Sequence, residues 1–271
     1  MNLSFMKGYD LAAICVLMGC LVVQLAQPQS VTFFQQLNHI FSFIHAEIWI
    51  NLTMLGDTLV LLCAMTPLIL YRPKYVYGLI ASIPLGGFLS AILKKIFNAP
   101  RPGDVLSLND YHALTDVLSG HSFPSGHSIT AFAVASVVIF HMRTEKPGVN
   151  KFVKQVIVLT LASLIACSRV ALGVHWPIDV VAGASVGWIA GLSGCYLLKK
   201  FPKFWGQHRL KWIVLLLLIV VEIFLIFRTS GNSEGEVTVY FSLLSVLFTI
   251  TIIGFDLLKK KDTRVLFLKF D

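Results

Sequence analysis

Three clusters of polar residues, each at an end of an apolar run, hold most of the side chains in this chain that could do chemistry. They lie at residues 94–102, 122–127 and 168–179 and supply at least three cations, a Ser-Gly pair, two histidines and a carboxylate. A phosphoryl group in its transition state spreads negative charge over three oxygens, so it needs fixed donors, a nucleophile and a proton for the leaving oxygen. The clusters contain all three parts, and they therefore favour phosphoryl chemistry.

His175 and Asp179 are four residues apart, and Pro177 between them is typical of the first turn of a helix. This spacing lets the carboxylate reach back to the imidazole. The pair would then be a nucleophile and its orienter, because a carboxylate on one ring nitrogen leaves the other nitrogen free to attack phosphorus. The alternative is an interfacial histidine beside an aspartate that favours the helix start. His127 is the second histidine, and spacing alone does not tell the roles of the two apart.

The phosphate contacts are predicted from a helix start and from the cations. Ser125 and Gly126 follow Pro124 at the start of an apolar run, where backbone N–H groups and a hydroxyl form an anion site, or simply an ordinary helix start. Three cations would clamp the non-bridging oxygens, the arginines through their planar forks. These cations are Lys94, Arg101 and Arg169. Their alternative is snorkelling to lipid headgroups, which we prefer for Lys95 because it is one residue out of register.

The three clusters resemble the motifs of the type 2 phosphatidic acid phosphatase superfamily, which shares its core with the vanadium haloperoxidases. The family pattern is Lys-x6-Arg-Pro, then Pro-Ser-Gly-His, then Ser-Arg-x5-His-x3-Asp. The chain matches it in identity and spacing at Lys94, Arg101, Pro102, Pro124, Ser125, Gly126, His127, Ser168, Arg169, His175 and Asp179. Pro-Ser-Gly-His by itself is a weak signal, but the three motifs in this order are highly specific.

The resemblance implies a role for each matched residue and an all-α membrane bundle with a six-helix core. His175 would be the nucleophile, Asp179 its orienter, and His127 the general acid and later the base that activates water. Lys94, Arg101, Ser125, Gly126 and Arg169 would bind the phosphate. No metal and no organic cofactor is implied.

The implied activity is hydrolysis of a membrane lipid phosphate monoester or diphosphate. Undecaprenyl diphosphate or phosphatidylglycerol phosphate is the expected substrate, with phosphatidic acid and the lipid A phosphates as further substrates. Three alternatives are transfer of the phosphoryl group to another lipid, a non-catalytic lipid-phosphate carrier, and a haloperoxidase, against which the many apolar spans count. The expected partners are the lipid substrate and the bilayer, and no protein partner is indicated.

The polar segment at residues 98–123 could also be interpreted as a divalent-metal site. Its acidic and histidine residues are Asp104, Asp110, His112, Asp116 and His121. They lack the tight spacing of a known metal cage. We therefore expect this long loop to contact the substrate headgroup.

The composition predicts a multi-pass membrane protein. Hydrophobic residues make up 56% of the 271 residues, charged residues 13%, and the mean hydropathy is +0.77. The net charge of +8 does not indicate nucleic-acid binding, because the basic residues cluster at the ends of apolar runs. Five cysteines without metal-type spacing are expected to be buried thiols.

The apolar runs predict eight membrane spans in one domain, residues 1–271. The spans are expected at about 11–26, 48–70, 75–97, 124–141, 153–171, 177–198, 211–228 and 237–258. The first run is expected to be an anchoring helix and not a cleaved signal peptide, and residues 27–46 to lie along the membrane surface. The pair at 211–258 exceeds the six-helix core, so the bundle has about six to eight membrane helices. The pair is either an added hairpin or apolar sequence that does not form two further spans.

The basic residues also predict the orientation. With both termini in the cytoplasm, all but five of the 22 Lys and Arg residues lie inside. The five outside are Lys94, Lys95, Arg101, Arg169 and Arg228. The site would therefore face the periplasm or exterior of a bacterial inner membrane. Asp57 and Glu222 lie within apolar runs, where ionisable groups are costly. We expect Asp57 to approach the site or to pair inside the bundle, and Glu222 to pair or to be protonated.

Overall fold

A computed structural model describes residues 8–26, 30–116, 118–143, 148–229 and 240–253. Its helices are α1 Gly8–Ala26, α2 Val31–Ser42, α3 Ala46–Met54, α4 Thr58–Ala64, α5 Leu68–Tyr71, α6 Pro73–Phe97, α7 Pro102–Val105, α8 Gly126–Met142, α9 Val149–Ala171, α10 Pro177–Lys200, α11 Pro202–Trp205, α12 His208–Thr229 and α13 Tyr240–Ile253. The described ranges contain helices, turns and loops without a strand, which confirms the all-α prediction.

The apolar helices lie where the spans were expected. Four of them, α6, α9, α10 and α12, are long and apolar enough to cross a membrane by themselves. The helices α1, α8 and α13 are apolar but shorter, and α3 with α4 forms a bent pair. The chain is a multi-pass membrane protein, whereas the number of crossings stays a prediction. Residues 254–258, at the end of the eighth expected span, lie outside the described residues.

The second expected span, at 48–70, was wrong as a continuous helix. The chain instead forms α3, α4 and α5, and α3 and α4 meet at 81°. The break has a local cause, because the side chain of Asp57 accepts hydrogen bonds from the N–H groups of Leu59 and Val60 and so caps α4. This contact also answers what Asp57 does in an apolar run.

The helix α10 is at the centre of the bundle and packs against α8, α6, α1 and α9. Three of its glycines, Gly183, Gly187 and Gly191, face α8, and a Cβ at each would lie against a backbone oxygen of that helix. Helices in lipid have little hydrophobic drive to associate, so their association depends on close packing. Small residues permit this packing because they let two helix backbones approach each other. The approach of α10 to α8 is therefore set by backbone contact.

A buried ion pair connects α1 with the end of α8, at the end of the bundle that is opposite the site. The fully buried carboxylate of Asp10 accepts hydrogen bonds from Arg143 Nη2 at 2.9 and 2.8 Å and from Trp188 Nε1 at 2.9 Å. Lys199 lies over the Phe140 ring at the same end. Arg143 and Lys199, at the ends of α8 and α10, thus lie at the opposite end of these helices from the polar clusters. The side of the membrane that each end faces stays a prediction, and Lys7, Lys146 and the 259–269 tail lie outside the described residues.

The helices α12 and α13 pack against α4, and their buried residues share one apolar cluster with residues of α4 and α6. That they are an addition to a six-helix core stays a prediction. Glu222 of α12 is buried, and the Ser242 hydroxyl donates to its carboxylate, with Oγ at 3.0 Å from each carboxylate oxygen. The Ser245 hydroxyl donates to the Ala64 carbonyl at 2.8 Å. Glu222 therefore pairs within the bundle, one of the two interpretations of an ionisable residue in an apolar run.

The glycine contacts predict that Gly187→Ala destabilises the bundle. A Cβ at residue 187 would overlap the Ile129 carbonyl of α8, so the helices must separate, and overpacking of this kind costs about 1–3 kcal/mol. The midpoint of thermal unfolding in detergent should fall by several degrees. Gly87→Ala in α6 is the matched control, because a Cβ there meets nothing within 4 Å. Equal midpoints for the two variants would contradict close packing of α10 on α8.

Candidate active site

The three polar clusters meet at one end of the bundle because the helices that carry them alternate in direction. The last turns of α6 and α9 and the first turns of α8 and α10 lie side by side. Three hydrogen bonds join the clusters: Ser125 N to Asp179 O at 3.0 Å, Ser122 N to Ala99 O at 2.8 Å, and Trp176 Nε1 to Pro100 O at 2.8 Å. Segments far apart in the chain thus share one site.

A tight turn after α9 carries His175 back over the arginine of the same motif. The N–H groups of Val174 and His175 both donate to the Arg169 carbonyl, at 3.1 and 3.3 Å. Gly173 has a φ of +79°, and a Cβ there would strike the Tyr111 ring. The turn therefore needs glycine for its backbone conformation and for space.

The two nitrogens of the buried His175 ring face different groups. Its Nε2 lies 3.2 Å from Arg101 Nη1. Its Nδ1 lies 3.4 Å from Asp179 Oδ2 and 3.3 Å from Ser122 Oγ. The ring thus has a carboxylate behind it and cations in front, which is the arrangement of an oriented nucleophile.

Two hydrogen bonds hold one carboxylate oxygen of Asp179 in place. Asp179 is the third residue of α10, and its Oδ2 accepts from the Trp176 N–H at 2.8 Å and from the Ser122 hydroxyl. Its other oxygen, Oδ1, is buried and has no hydrogen-bond partner among the described residues. The capping contact fixes the position of the Asp179 carboxylate independently of the imidazole. The start of α10 therefore sets the orientation of His175.

Three cations surround His175, and uncharged oxygens hold each of them. Arg101 donates through Nε to Gly120 O and through Nη1 to Val174 O, both at 2.9 Å. Lys94 Nζ donates to His121 O at 3.2 Å. The buried Arg169 donates through Nη1 to Thr53 Oγ1 at 2.6 Å, and its Nε has no partner in the described part of the chain.

This surrounding makes His175 a neutral imidazole at neutral pH. Burial lowers its pKa well below the usual value, and the charges of Arg169, Arg101 and Lys94 lower it further. A hydrogen bond with the Ser122 backbone only partly offsets these effects. A neutral ring keeps a lone pair on one nitrogen, as nucleophilic attack requires.

The Pro-Ser-Gly-His segment forms the start of α8. Ser125 is fully buried, its hydroxyl accepts from the Ser128 N–H, and its own N–H donates to Asp179 O. Gly126 is the first residue of α8, so its N–H is one of those that a helix leaves without an intrahelical carbonyl. His127 follows, with its ring against Gly56. The contacts of Ser125 are structural, and phosphate binding by Ser125 and Gly126 stays a prediction.

Sequence reasoning missed several residues that support these groups. Ser122 bridges His175 and Asp179, and Thr53 contacts Arg169. Asn38 of α2 is buried and donates to the carbonyls of Val170, Ala171 and His112. A lone Ser, Thr or Asn gives no signal in one sequence, because its partners lie 50 or more residues away. Ser122 had only its closeness to the Pro-Ser-Gly-His motif to suggest it.

The acidic residues of the long loop support its turns. Asp104 Oδ2 accepts from the N–H groups of Arg101 and Gly120 at 2.8 and 2.9 Å, which joins the two ends of the loop. Asp110 Oδ2 accepts from the N–H and hydroxyl of Ser107. In the described ranges no three His, Cys, Asp or Glu side chains lie close enough together to hold a metal ion. Contact between this loop and a headgroup stays a prediction.

Comparisons with known proteins agree with this geometry. Residues 75–203 match the sequence profile of the PAP2 superfamily. Phosphatidylglycerophosphatase B of Bacillus subtilis is 36% identical over 101 residues, which are 36% of this chain and 46% of that protein. The undecaprenyl-diphosphatase of Sulfolobus acidocaldarius is 30% identical over 116 residues, 42% of this chain and 52% of that protein. The chain thus spans about half the length of these curated relatives.

Solved structures extend the likeness to the fold. The crystal structure of Aquifex aeolicus LpxE is similar at 30% identity and a TM-score of 0.50, over 60% of this chain and 92% of that one. The profile match at residues 75–203 contains all three polar clusters. By profile, motifs and fold together, the chain belongs to the PAP2 superfamily.

Proposed function

We propose that this protein is a membrane lipid phosphatase that cleaves a phosphate monoester or diphosphate through a phosphohistidine on His175. The observation that carries the proposal is the convergence of three cations on one side of a buried, neutral imidazole that has one carboxylate on its other side. With three positive charges against one negative, the site has an excess of positive charge that suits a phosphate dianion. The names of the relatives, phosphatidylglycerophosphatase and undecaprenyl-diphosphatase, support a lipid phosphate as substrate.

In the first step, His175 Nε2 attacks phosphorus and the bond from phosphorus to the lipid oxygen breaks. Arg101, which lies 3.2 Å from Nε2, turns its guanidinium to the phosphate oxygens, beside Lys94 and Arg169. Asp179 accepts a hydrogen bond from the Nδ1–H of His175 and stabilises the positive charge that develops on the ring. His127 gives a proton to the departing lipid oxygen, by analogy with the family motif.

In the second step, a water molecule attacks the phosphohistidine. His127, now neutral, accepts a proton from this water, and the bond from phosphorus to Nε2 breaks. Inorganic phosphate leaves and both histidines return to their first state. The cations lower the barrier in both steps because they face charge that is spread over the same three oxygens.

The expected substrates are undecaprenyl diphosphate and phosphatidylglycerol phosphate, at the extracytoplasmic face of the bacterial inner membrane. The apolar tail needs a path beside the site, and a cleft of about 210 Å³ between α4, α6, α8 and α10 offers one. Gly126 lies at its site end, and small residues of α6, namely Ser82, Gly86, Gly87 and Ser90, form its wall. We propose that this cleft takes part of one lipid chain.

His175→Ala is expected to lower phosphate release at least about 10³-fold on every lipid phosphate in a panel, because the nucleophile is lost. The panel is assayed with purified protein in detergent, in the presence and absence of a chelator. Wild type should also trap an acid-labile, alkali-stable phosphoenzyme that His175→Ala does not form. His45→Ala, which alters an exposed histidine before α3, is the control. Turnover by folded His175→Ala, or loss of wild-type activity with EDTA that added metal restores, would exclude the mechanism.

Lys94→Ala and Lys95→Ala form a matched pair. Lys94 Nζ donates to the His121 carbonyl at the site, while Lys95, the next residue of α6, is exposed. Lys94→Ala should weaken competitive inhibition by orthovanadate by roughly 10-fold to 100-fold, because a charged hydrogen bond contributes about 1.5–3 kcal/mol. Lys95→Ala should leave the inhibition constant unchanged. Equal effects of the two substitutions would contradict the phosphate clamp.

Gly87→Leu tests the tail cleft. A Cβ at residue 87 meets nothing within 4 Å, and Gly87 lines the cleft, so a leucine side chain there should occupy part of the cleft. Loss of space for about two CH₂ groups, at about 0.8 kcal/mol each, predicts a roughly tenfold fall in kcat/KM for a long-chain lipid phosphate. A short-chain, water-soluble phosphate ester should react as with wild type. Gly19→Leu on α1, also without near contacts, is the control, and an equal fall for both esters would argue against the cleft.

A further inference from the structure

The break between α3 and α4 lies outside the three motifs and outside residues 75–203, yet it adjoins the site. The two helices have nine and seven residues, so at 1.5 Å per residue neither approaches the roughly 30 Å of a bilayer core. Irregular backbone at membrane depth occurs where protein buries it or where it lines a cavity. The structure has such cover here, because the break packs against α8 and α9.

The first contact of this segment is with Arg169. Thr53, in the last turn of α3, is buried and accepts a hydrogen bond from Arg169 Nη1 at 2.6 Å. Arg169 Nε has no partner among the described residues. The threonine hydroxyl therefore fixes one arm of the guanidinium fork, and it does so without a negative charge that would compete with phosphate.

The second contact is with His127. A Cβ on Gly56, in the break itself, would lie 2.8 Å from His127 Cβ and 2.9 Å from its Cδ2. The φ of Gly56 is outside the left-handed region, so the backbone there would accept alanine. Space for the imidazole is thus the reason that this position needs glycine.

Two further contacts anchor the segment on either side of the break. Trp49 of α3 is buried against Ala171, Leu172 and Val174, the turn that leads to His175. Thr58 of α4 shares a 2.7 Å hydrogen bond with Thr130 of α8, one turn after His127. The segment therefore contacts both of the helices whose ends carry Arg169 and His127.

We propose that the broken helix, residues 46–64, is a positioning element of the active site, in which Thr53 orients Arg169 and Gly56 sets the place of His127. This inference depends on the proposed function, because it gives Arg169 and His127 their tasks in phosphate cleavage. Thr53 and Gly56 are positioning residues and do not touch the reacting phosphate. They act on different quantities, Thr53 on anion binding and Gly56 on turnover.

Thr53→Val removes the hydroxyl and keeps the shape of the side chain. It should raise KM and the inhibition constant of orthovanadate roughly tenfold, with a smaller change in kcat, because Arg169 loses its orientation. Thr53→Ser should restore both constants to within about twofold of wild type. Thr66→Val is the matched control, because Thr66 is also buried but its hydroxyl donates to the Cys63 carbonyl, away from the site.

Gly56→Ala adds one methyl group against His127. It should lower kcat by roughly 10-fold to 100-fold, since a small misplacement of a catalytic group has effects of this size. Gly19→Ala adds the same methyl group where nothing lies within 4 Å and should match wild type. In a His127→Ala background, Gly56→Ala should cause no further loss of the residual rate, because its effect passes through the imidazole.

The outcomes separate this inference from the proposed function. A wild-type protein that neither releases phosphate nor binds orthovanadate would refute the proposed function and this inference with it. An active wild type with Thr53→Val indistinguishable from Thr66→Val would refute the role of Thr53. Additive rate losses from Gly56→Ala and His127→Ala would mean that the segment is merely structural. The same follows if Thr53→Val lowers both the thermal midpoint and the rate and Thr53→Ser restores neither. The serine rescue and the non-additive pair together would establish it as a positioning element.

Discussion

Three cations have to be held close to one another, in a partly buried site, before any anion arrives to compensate them. The chain does this with uncharged acceptors: the carbonyls of Gly120, His121 and Val174 and the hydroxyl of Thr53. Carboxylate partners would give stronger pairs, but they would also cancel the attraction for phosphate. An incompletely compensated buried cation is costly, and that cost is relieved when an anion binds. This excess of positive charge supports the proposal that the site binds a phosphate.

The same cations decide the state of the nucleophile. An imidazole in water is partly protonated near neutral pH, whereas His175 is buried among positive charges that lower its pKa. Its neutral form then has one nitrogen toward Asp179 and the other toward Arg101. In the proposed mechanism, anion binding and nucleophile activation have one physical cause, because the charges that would attract phosphate also keep the proton off the ring.

Close helix packing makes this arrangement possible. Glycines of α10 bring its backbone against α8, and the Ser125 N–H reaches the Asp179 carbonyl at the helix starts. Two helix N-termini consequently lie side by side at the site, and both present positive dipole ends to it. The bulk of the chain, including α12 and α13, lies outside this contact and supports it from the α4 side.

The sequence by itself predicted the chemistry and located its candidate residues along the chain. Motif spacing predicted the pairing of His175 with Asp179 across one helical turn, since that contact is local. Hydropathy likewise predicted where the apolar helices lie. It was wrong about a continuous helix at 48–70, because the capping contact of Asp57 competes with helix propagation. Only the tertiary structure brought Ser122, Thr53 and Gly56 to the site and engaged Ser125 with Asp179. These contacts join segments up to 116 residues apart. A glycine, serine or threonine gives no sign of such a role in the sequence, because the role depends on the neighbour that tertiary packing places beside it.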